Sequence, residues 1–378
     1  MTIEQPIRLA IAGFGLVGIR HAQSIRCIEG AHLCAVVDPD QQVTEKAADL
    51  GVTCFHDLRE MIKAEKPDGI ILSTPTDLHV KQGLECIEMG IPTLVEKPLS
   101  HDLHDAEILV RASETTGTPL MVGHHRRFNP IIQKAKEILT AGKIGDLRAV
   151  HAKCWFYKPD EYFDTAPWRK LKGAGPVSVN LVHEIDLLRY LCGEITHVQA
   201  QMTPSIRGYE NEDVAAAILN FANGAIGTVT VSDSIAAPWS WEFTSKENPV
   251  YPHTEESAYQ IGGSLGSLSI PDLRIWKHDG EPDWWSPISA TSETHDVSDP
   301  LVNQIRHFTE VITGDTAPLI SGREGLRTLA VIDAIQVAAK TGQTIQLAIQ
   351  SGVTELAEFK KNSVRALATK PIFTKTAF

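Results

Sequence analysis

The chain has 378 residues, a hydrophobic share of 43%, a charged share of 22% and a formal net charge of -12. That length accommodates two domains of roughly 100 to 200 residues each, and the composition is that of an ordinary globular protein, with disorder expected only in about the last dozen residues. The acidic balance argues against a nucleic-acid partner, because phosphate contacts need clustered Lys and Arg.

Six cysteines, Cys27, Cys34, Cys54, Cys86, Cys154 and Cys192, are scattered without a Cys-x-x-Cys spacing. This fits reduced thiols in the cytoplasm. The apolar stretch 7–19 carries three glycines and lacks a basic leader and a small-residue cleavage site, so no secretory signal is expected there. No other segment approaches the roughly 20 apolar residues of a membrane span. The expected setting is cytoplasmic, with the chain mature from its start and no membrane partner.

In chain order, short apolar runs at 7–12, 33–37, 69–73, 93–95 and 120–122 alternate with amphipathic stretches at 18–27, 44–50, 77–89 and 105–116. Alternation of this kind is the signature of βαβ units and a doubly wound parallel sheet. It assigns residues 1–125 to one α/β domain. Beyond about residue 145 the texture changes to strands at 147–155, 198–202, 214–221, 225–232 and 267–273, with Asn223-Gly224 as a hairpin turn between the third and fourth. Helical patterns cover 177–191, 300–313 and 323–341. Residues 126–378 therefore read as an α+β domain on a mostly antiparallel open sheet, which is expected to bind substrate and to support homodimers or homotetramers. The stretch 237–263, with Trp239 and Trp241, has no clean period and reads either as a functional or interfacial loop or as plain packing of an insertion.

Gly13-x-Gly15-x-x-Gly18 follows the first strand and opens the first helix. In that context the first glycine allows the tight turn, the second admits a pyrophosphate to backbone N–H groups, and the third lets helix and strand pack closely. The domain is accordingly a Rossmann domain, and Gly13, Phe14, Gly15, Leu16, Val17 and Gly18 are the expected phosphate-binding turn. Asp38 ends the second strand about 20 residues beyond Gly18. A carboxylate there accepts hydrogen bonds from ribose hydroxyls and repels a 2′-phosphate, so NAD is expected as cofactor in preference to NADP. Asp38-Pro39-Asp40 also reads as a turn. Thr74, Pro75 and His79 follow the third predicted strand, on the edge where the nicotinamide ribose should run. Lys97, in Glu96-Lys97-Pro98, leaves the C-terminal edge of the same sheet, where open α/β folds bind ligands.

The combination of Gly13-x-Gly15-x-x-Gly18, Thr74-Pro75 with His79, Glu96-Lys97-Pro98 and Arg126-Arg127-Phe128 resembles the Gfo/Idh/MocA oxidoreductases, over about residues 7 to 345. The resemblance implies an NAD-dependent oxidoreductase that transfers a hydride between nicotinamide and a secondary hydroxyl or ketone of a sugar, an inositol or a cyclic diol. It places Lys97 beside nicotinamide and substrate as proton carrier, with Glu96 anchoring the loop or touching the cofactor ribose. It also makes His183 the residue that holds the reacting oxygen. In polyol-oxidising members an aspartate stands four residues before that histidine; here the position is Val179, with Asn180 next to it. On an α-helix Asn180 stands about 100° further round.

Arg127, Asn180 and Trp168 are the expected substrate contacts, although Arg126 and Arg127 read equally well as salt bridges between the domains. Asp186 is expected to organise its helix or the domain interface. His124 and His125, adjacent on a strand, would point to opposite faces, and no metal site is expected. Three rivals to a plain dehydrogenase remain open: an eliminating, glycoside-cleaving enzyme with transient oxidation, a dihydrodiol dehydrogenase, and a non-catalytic NAD-binding regulator.

Overall fold

A computed structural model describes residues 6–348, so the disorder expected at the extreme C-terminus lies outside the described residues. The first sheet is built from β1 (Ile7–Ala12), β2 (Ala31–Val37), β3 (Thr53–Phe55), β4 (Gly69–Leu72), β5 (Thr93–Val95) and β6 (Leu120–Val122), in the order β3-β2-β1-β4-β5-β6. Every pair is parallel. Parallel neighbours need crossovers, and these are supplied by α1 (Leu16–Ile25), α2 (Gln41–Asp49), α3 (Leu58–Glu65), α4 (Thr76–Glu88) and α5 (Leu103–Thr116). Covered by helices, β4 and β5 run apolar without alternation, and Ile70, Ile71, Leu72, Leu94 and Val95 are fully buried. The winding reverses between β1 and β4, which opens a crevice at their carboxyl ends.

The second sheet holds β7 (Leu147–Trp155), β8 (Ile195–Pro204), β9 (Glu212–Phe221), β10 (Ile226–Ser232), β11 (Tyr259–Gly263), β12 (Ser267–Ile270), β13 (Arg274–Lys277), β14 (Ser289–Ser292) and β15 (Ile345–Gln346). Their order is β14-β13-β12-β11-β7-β10-β9-β8-β15. All neighbours are antiparallel except β7 and β10. One face is packed under α6 (Pro130–Thr140), α8 (Val182–Cys192) and α11 (Gly322–Thr341), which share a core with it. The other face is open: outward positions of β9 and β10 include Ile218 and Ile226, 44% and 52% exposed. The remaining helices are α7 (Asp160–Asp164), α9 (Trp241–Thr244) and α10 (Pro300–Thr313).

Several elements differ from the sequence-based expectation, each for a physical reason. β3 is an exposed-edge strand of three residues and offers no apolar run. α6 begins at Pro130, which reads as a breaker yet suits a first helical position because its missing N–H would be unpaired there anyway. The run 267–273 splits into β12 and β13 because Pro271 cannot donate to the ladder. Residues 237–263 are not one loop; they contain α9 and β11, and Trp241 is a core residue at 1% exposure.

α10 and α11 lie late in the chain but pack against the first sheet. Ile305, Phe308 and Val311 of α10 join that core, as do Leu326 and Leu329 from the first half of α11. The second half of α11, with Val331, Ile332, Ile335 and Ala338, belongs to the core of the second sheet. α11 starts against β6, where Val122 N–H donates to the Ile320 carbonyl (3.0 Å). A Cβ at Gly325 would stand 2.5 Å from Val122 Cγ2, so a glycine permits this close approach. One helix thus ties the two sheets together and fixes the cleft between them.

Candidate active site

The glycine turn is shaped by contacts that admit no side chain. A Cβ on Gly18 would lie 2.1 Å from the Gly13 carbonyl oxygen, and one on Gly13, at φ +85°, would lie 2.6 Å from the Ser73 backbone. Ser73 Oγ in turn donates to the Gly13 carbonyl (2.7 Å), joining the ends of β1 and β4. Gly15 is different: a Cβ there would meet nothing within 4 Å. It is the N-cap of α1, with no side-chain cap and no acidic residue in the first turn. The first N–H groups of a helix need acceptors, and an anion at this positive helix end supplies them. The residues present therefore fit a dinucleotide pyrophosphate. Leu16 and Val17, 82% and 43% exposed, flank the open side.

Asp38 closes the turn from the end of β2. Its Oδ2 accepts the Phe14 N–H (2.8 Å) and its Oδ1 the Asp40 N–H (2.9 Å), so the turn role and a site at the glycine loop coincide. Each oxygen keeps a further lone pair for a ribose hydroxyl. Thr74 and His79 have internal duties. Thr74 Oγ1 donates to Gln82 Oε1 (2.6 Å), and the buried His79 ring lies between the carbonyls of Pro98 and Thr74, both at 2.9 Å. Burial lowers the His79 pKa. A neutral ring donates one N–H, and the geometry ties α4 to the segment that carries Lys97.

Lys97 follows β5 directly. Its neighbour Glu96 bonds His21 Nε2 (2.8 Å). Burial acts to raise the Glu96 pKa, but the His21 hydrogen bond and charge outweigh it and hold the carboxyl at about 2. Lys97 moves the opposite way. Burial of the ammonium pushes its pKa below the usual lysine value; Glu96 opposes this, and the charges of Arg126 and Lys158 add to it. A lysine depressed in this manner gives up its proton more readily than a solvated one.

His183, on α8 against the second sheet, lies close enough to Lys97 to feel its charge. The preceding residues Val177–Leu181 form a π-turn rather than the α-helix expected from the sequence. Val177 N–H donates to Glu212 Oε1 (3.0 Å), and Gly175 leaves room for that carboxylate, which a Cβ at 2.3 Å would displace. Single π-turns recur at functional sites. Here the turn leaves Asn180 Oδ1 to accept from Lys158 Nζ at 2.7 Å. His183 is 8% exposed and its Nδ1 has no partner among the described residues. Burial and then the Lys97 and Arg126 charges hold its pKa well below the usual value, leaving a neutral imidazole.

The expectation that His124 and His125 point apart is corrected by the structure. They lie beyond β6, with His125 opening the 3-10 turn His125–Phe128, and both rings flank His183, at 6.3 and 5.9 Å between centroids. His125 Nε2 also bonds Glu247 (3.1 Å), from the stretch between α9 and β11. Among the described residues no group of three or more His, Cys, Asp or Glu is arranged to hold a metal ion.

The two arginines are committed to carboxylates. Arg126 bridges Glu184 (2.8 Å) and Glu242 (2.7 Å) under the Trp241 ring, and burial nevertheless pushes the Glu184 pKa up to about 7. Arg127 Nε and Nη2 hold both oxygens of Asp186 at 2.8 Å, with Glu324 at 3.3 Å. Of the two readings open in the sequence, the salt bridge is the one the structure displays for Arg127, whose fork is filled by Asp186 and Glu324. Trp168 sits on the 3-10 turn Pro167–Lys170, 56% exposed, with the Arg169 guanidinium 5.7 Å from its ring. Sequence reasoning missed Lys158, Glu242 and Glu247. Lys158 alone left a signal, as a lysine directly after the aromatic run 155–157 at the end of a predicted strand.

An anion-binding helix end at the switch point, beside a lysine of reduced proton affinity, defines a nicotinamide-dependent oxidoreductase. Residues 7–124 match the family model for the oxidoreductase family with NAD-binding Rossmann fold, and residues 132–269 match the GFO/IDH/MocA C-terminal domain. The chain belongs to the GFO/IDH/MocA oxidoreductases, and its cofactor is NAD. It is 26% identical over 370 residues to the scyllo-inositol 2-dehydrogenase (NAD(+)) of Bacillus subtilis, covering 93% of this chain and 99% of the relative. It is also 26% identical over 352 residues to the D-apiose dehydrogenase of Paraburkholderia graminis, covering 89% of each. Among solved structures, the WlbA dehydrogenase of Bordetella pertussis in complex with NADH and UDP-GlcNAcA superposes with a TM-score of 0.74 at 25% identity, covering 91% of this chain and all (100%) of that one.

Proposed function

We propose that the protein oxidises a secondary hydroxyl of a small polyhydroxylated substrate, a sugar or an inositol, with NAD, or reduces the matching ketone. The observation that carries this reading is the pairing of Lys97, depressed by burial, with the neutral His183 across one cleft. Bound NAD supplies the hydride acceptor at its nicotinamide. Lys97 takes the carbinol proton in the oxidative direction and returns it in the reductive one. His183, with Nδ1 free of protein partners, hydrogen-bonds the same oxygen and orients it. Glu96, locked by His21, fixes the lysine's backbone: Glu96 Oε2 accepts the Lys97 N–H at 3.2 Å. Donor and acceptor carbons must approach to roughly 3–3.5 Å, so the cleft between the sheets performs the positioning.

The relatives named for inositol and apiose oxidation support the substrate class. The open sheet face around Ile218 and Ile226 is the surface through which copies associate as dimers or tetramers, and the free thiols suit a reducing cytoplasm. No helix among the described residues is long and apolar enough to cross a membrane. The test is NADH formation over a panel of inositols and aldoses with wild type and Lys97→Met. Loss of a general acid–base group lowers turnover by about 10²–10⁴-fold, with NAD affinity retained. A Lys97→Met enzyme as active as wild type ends the assignment.

A further inference from the structure

Val179 carries no polar side-chain atom, and the neighbouring Asn180 is instead hydrogen-bonded to a second buried lysine. Lys158 stands three residues beyond β7, anchored by its backbone: its N–H donates to the Asp233 carbonyl (2.9 Å) and its carbonyl accepts from Arg207 Nη2 (2.9 Å). Its side chain is only 7% exposed. Nζ donates to Asn180 Oδ1 at 2.7 Å and reaches Asp233 Oδ2 at 3.4 Å, with the Tyr162 ring at 5.1 Å and the Phe156 ring at 5.6 Å.

A structural role explains this arrangement poorly. Asp233 is already paired with Arg207, whose Nη1 lies 3.2 Å from Oδ1. One buried carboxylate therefore serves two cations. Burying a strongly hydrated ammonium without its own counter-charge is costly, and an apolar side chain of similar length would pack there at less cost. The ammonium has three N–H donors, of which protein oxygens take two. Asn180 likewise spends its carbonyl on Lys158, and its Nδ2 has no acceptor among the described residues. Two unspent donors thus stand side by side, in contact with the turn that leads into α8 and His183.

We propose that Lys158, held by Asn180 and Asp233, is a substrate-positioning residue that binds the hydroxyl next to the reacting carbinol, with Asn180 as its partner. The inference rests on the polyol-oxidising reading above and extends it to a specificity contact. Requiring a neighbouring oxygen favours vicinal diols, hence ring polyols and aldoses, over simple secondary alcohols. Lys158 has a second effect, through charge. The charges that bear most on the Lys97 ammonium are Glu96 on its own segment, Arg126 after β6, Glu242 on α9 and Lys158; the first and third favour its protonated form, the second and fourth oppose it. His124 after β6 and His183 on α8 also lie within reach of its charge, which lowers the pKa of both. Removing Lys158 takes away repulsion, so Lys97 holds its proton to higher pH.

The experiment uses full-length enzyme with NAD and the best substrate among myo-inositol, scyllo-inositol, D-glucose and D-xylose. A deoxy analogue lacking the hydroxyl beside the reacting carbon is run in parallel. Lys158→Met is expected to lower kcat/KM on the parent substrate by about 10- to 100-fold, the worth of a charge-assisted hydrogen bond. On the deoxy analogue the loss should nearly vanish. The acid limb of the oxidative kcat/KM profile should move to higher pH in Lys158→Met and stay in place in Lys158→Arg, which keeps the charge. Asn180→Ala, read by the same substrate comparison, serves if Lys158→Met does not fold, as judged by NAD binding. An equal loss on both substrates with an unmoved pH limb overturns the proposal while the dehydrogenase reading stands. Failure of wild type to reduce NAD with any of the four substrates overturns both.

Discussion

Replacing Arg127 by Met separates a structural strut from a substrate contact. Its guanidinium meets both oxygens of Asp186 at 2.8 Å, and the two side chains are 3% and 1% exposed. Truncating one member leaves the Asp186 carboxylate buried with Thr328 Oγ1 at 3.1 Å as its remaining hydrogen-bond donor. Breaking such a pair costs about 3–5 kcal/mol, whereas replacing both members by apolar side chains is close to neutral. For units of this size about 1 kcal/mol moves the midpoint by roughly 2–4 °C. Arg127→Met should therefore melt about 6–20 °C below wild type, and Arg127→Met with Asp186→Leu should recover most of that loss. Calorimetry on the NAD-free protein gives the midpoints, and initial rates below the melting range give KM. An unchanged midpoint together with a raised KM would refute the strut and restore Arg127 to the substrate. A double variant as unstable as the single would show that the ion pair is not the source of the effect.

The cofactor turn gives two further expectations. In Gly18→Ala the new Cβ is placed 2.1 Å from a backbone oxygen that cannot rotate away, and overpacking of this kind costs about 1–3 kcal/mol. Fluorescence titration with NADH should show affinity lowered about 10-fold or more, and wild-type affinity would show that the turn is not under this constraint. Asp38→Ala removes the acceptor for Phe14 N–H as well as the carboxylate. Binding of NAD should weaken while the NADP to NAD preference ratio rises; an unchanged ratio in competition binding would show that Asp38 does not select the cofactor. Asp38→Asn, which keeps an acceptor without the charge, should raise the same ratio with a smaller loss of NAD affinity.

Much of the Rossmann half is legible in the chain because its signals are local. Alternating apolar runs and amphipathic helices declare parallel crossovers, and three glycines at fixed spacing mark the turn: a Cβ on Gly18 would strike the Gly13 carbonyl and Gly15 faces open space, while Gly13 is kept small from further along the chain, by the Ser73–Thr74 backbone. Lys97 is likewise marked by a local tripeptide, Glu96-Lys97-Pro98, whereas His183 follows a turn that the residue pattern does not announce. The sequence is less informative where identity is set by a distant partner. Arg126 and Arg127 are adjacent and chemically alike, and nothing local assigns one to Glu184 and Glu242 and the other to Asp186 and Glu324.

The amino-acid sequence by itself determined the fold class and the cofactor, because these depend on periodicities and spacings within single βα units. Only the tertiary structure decided which charges share the cleft. Lys158, Asn180 and Asp233 come from three separate elements, and a π-turn that no residue pattern announces aims Asn180 at the lysine. α11, packed on both cores, sets how the segments that carry Lys97 and His183 stand to one another. Proton affinities depend on burial and on charges many residues away, so the pKa values of Lys97 and His183 are properties of the assembled cleft and not of any motif.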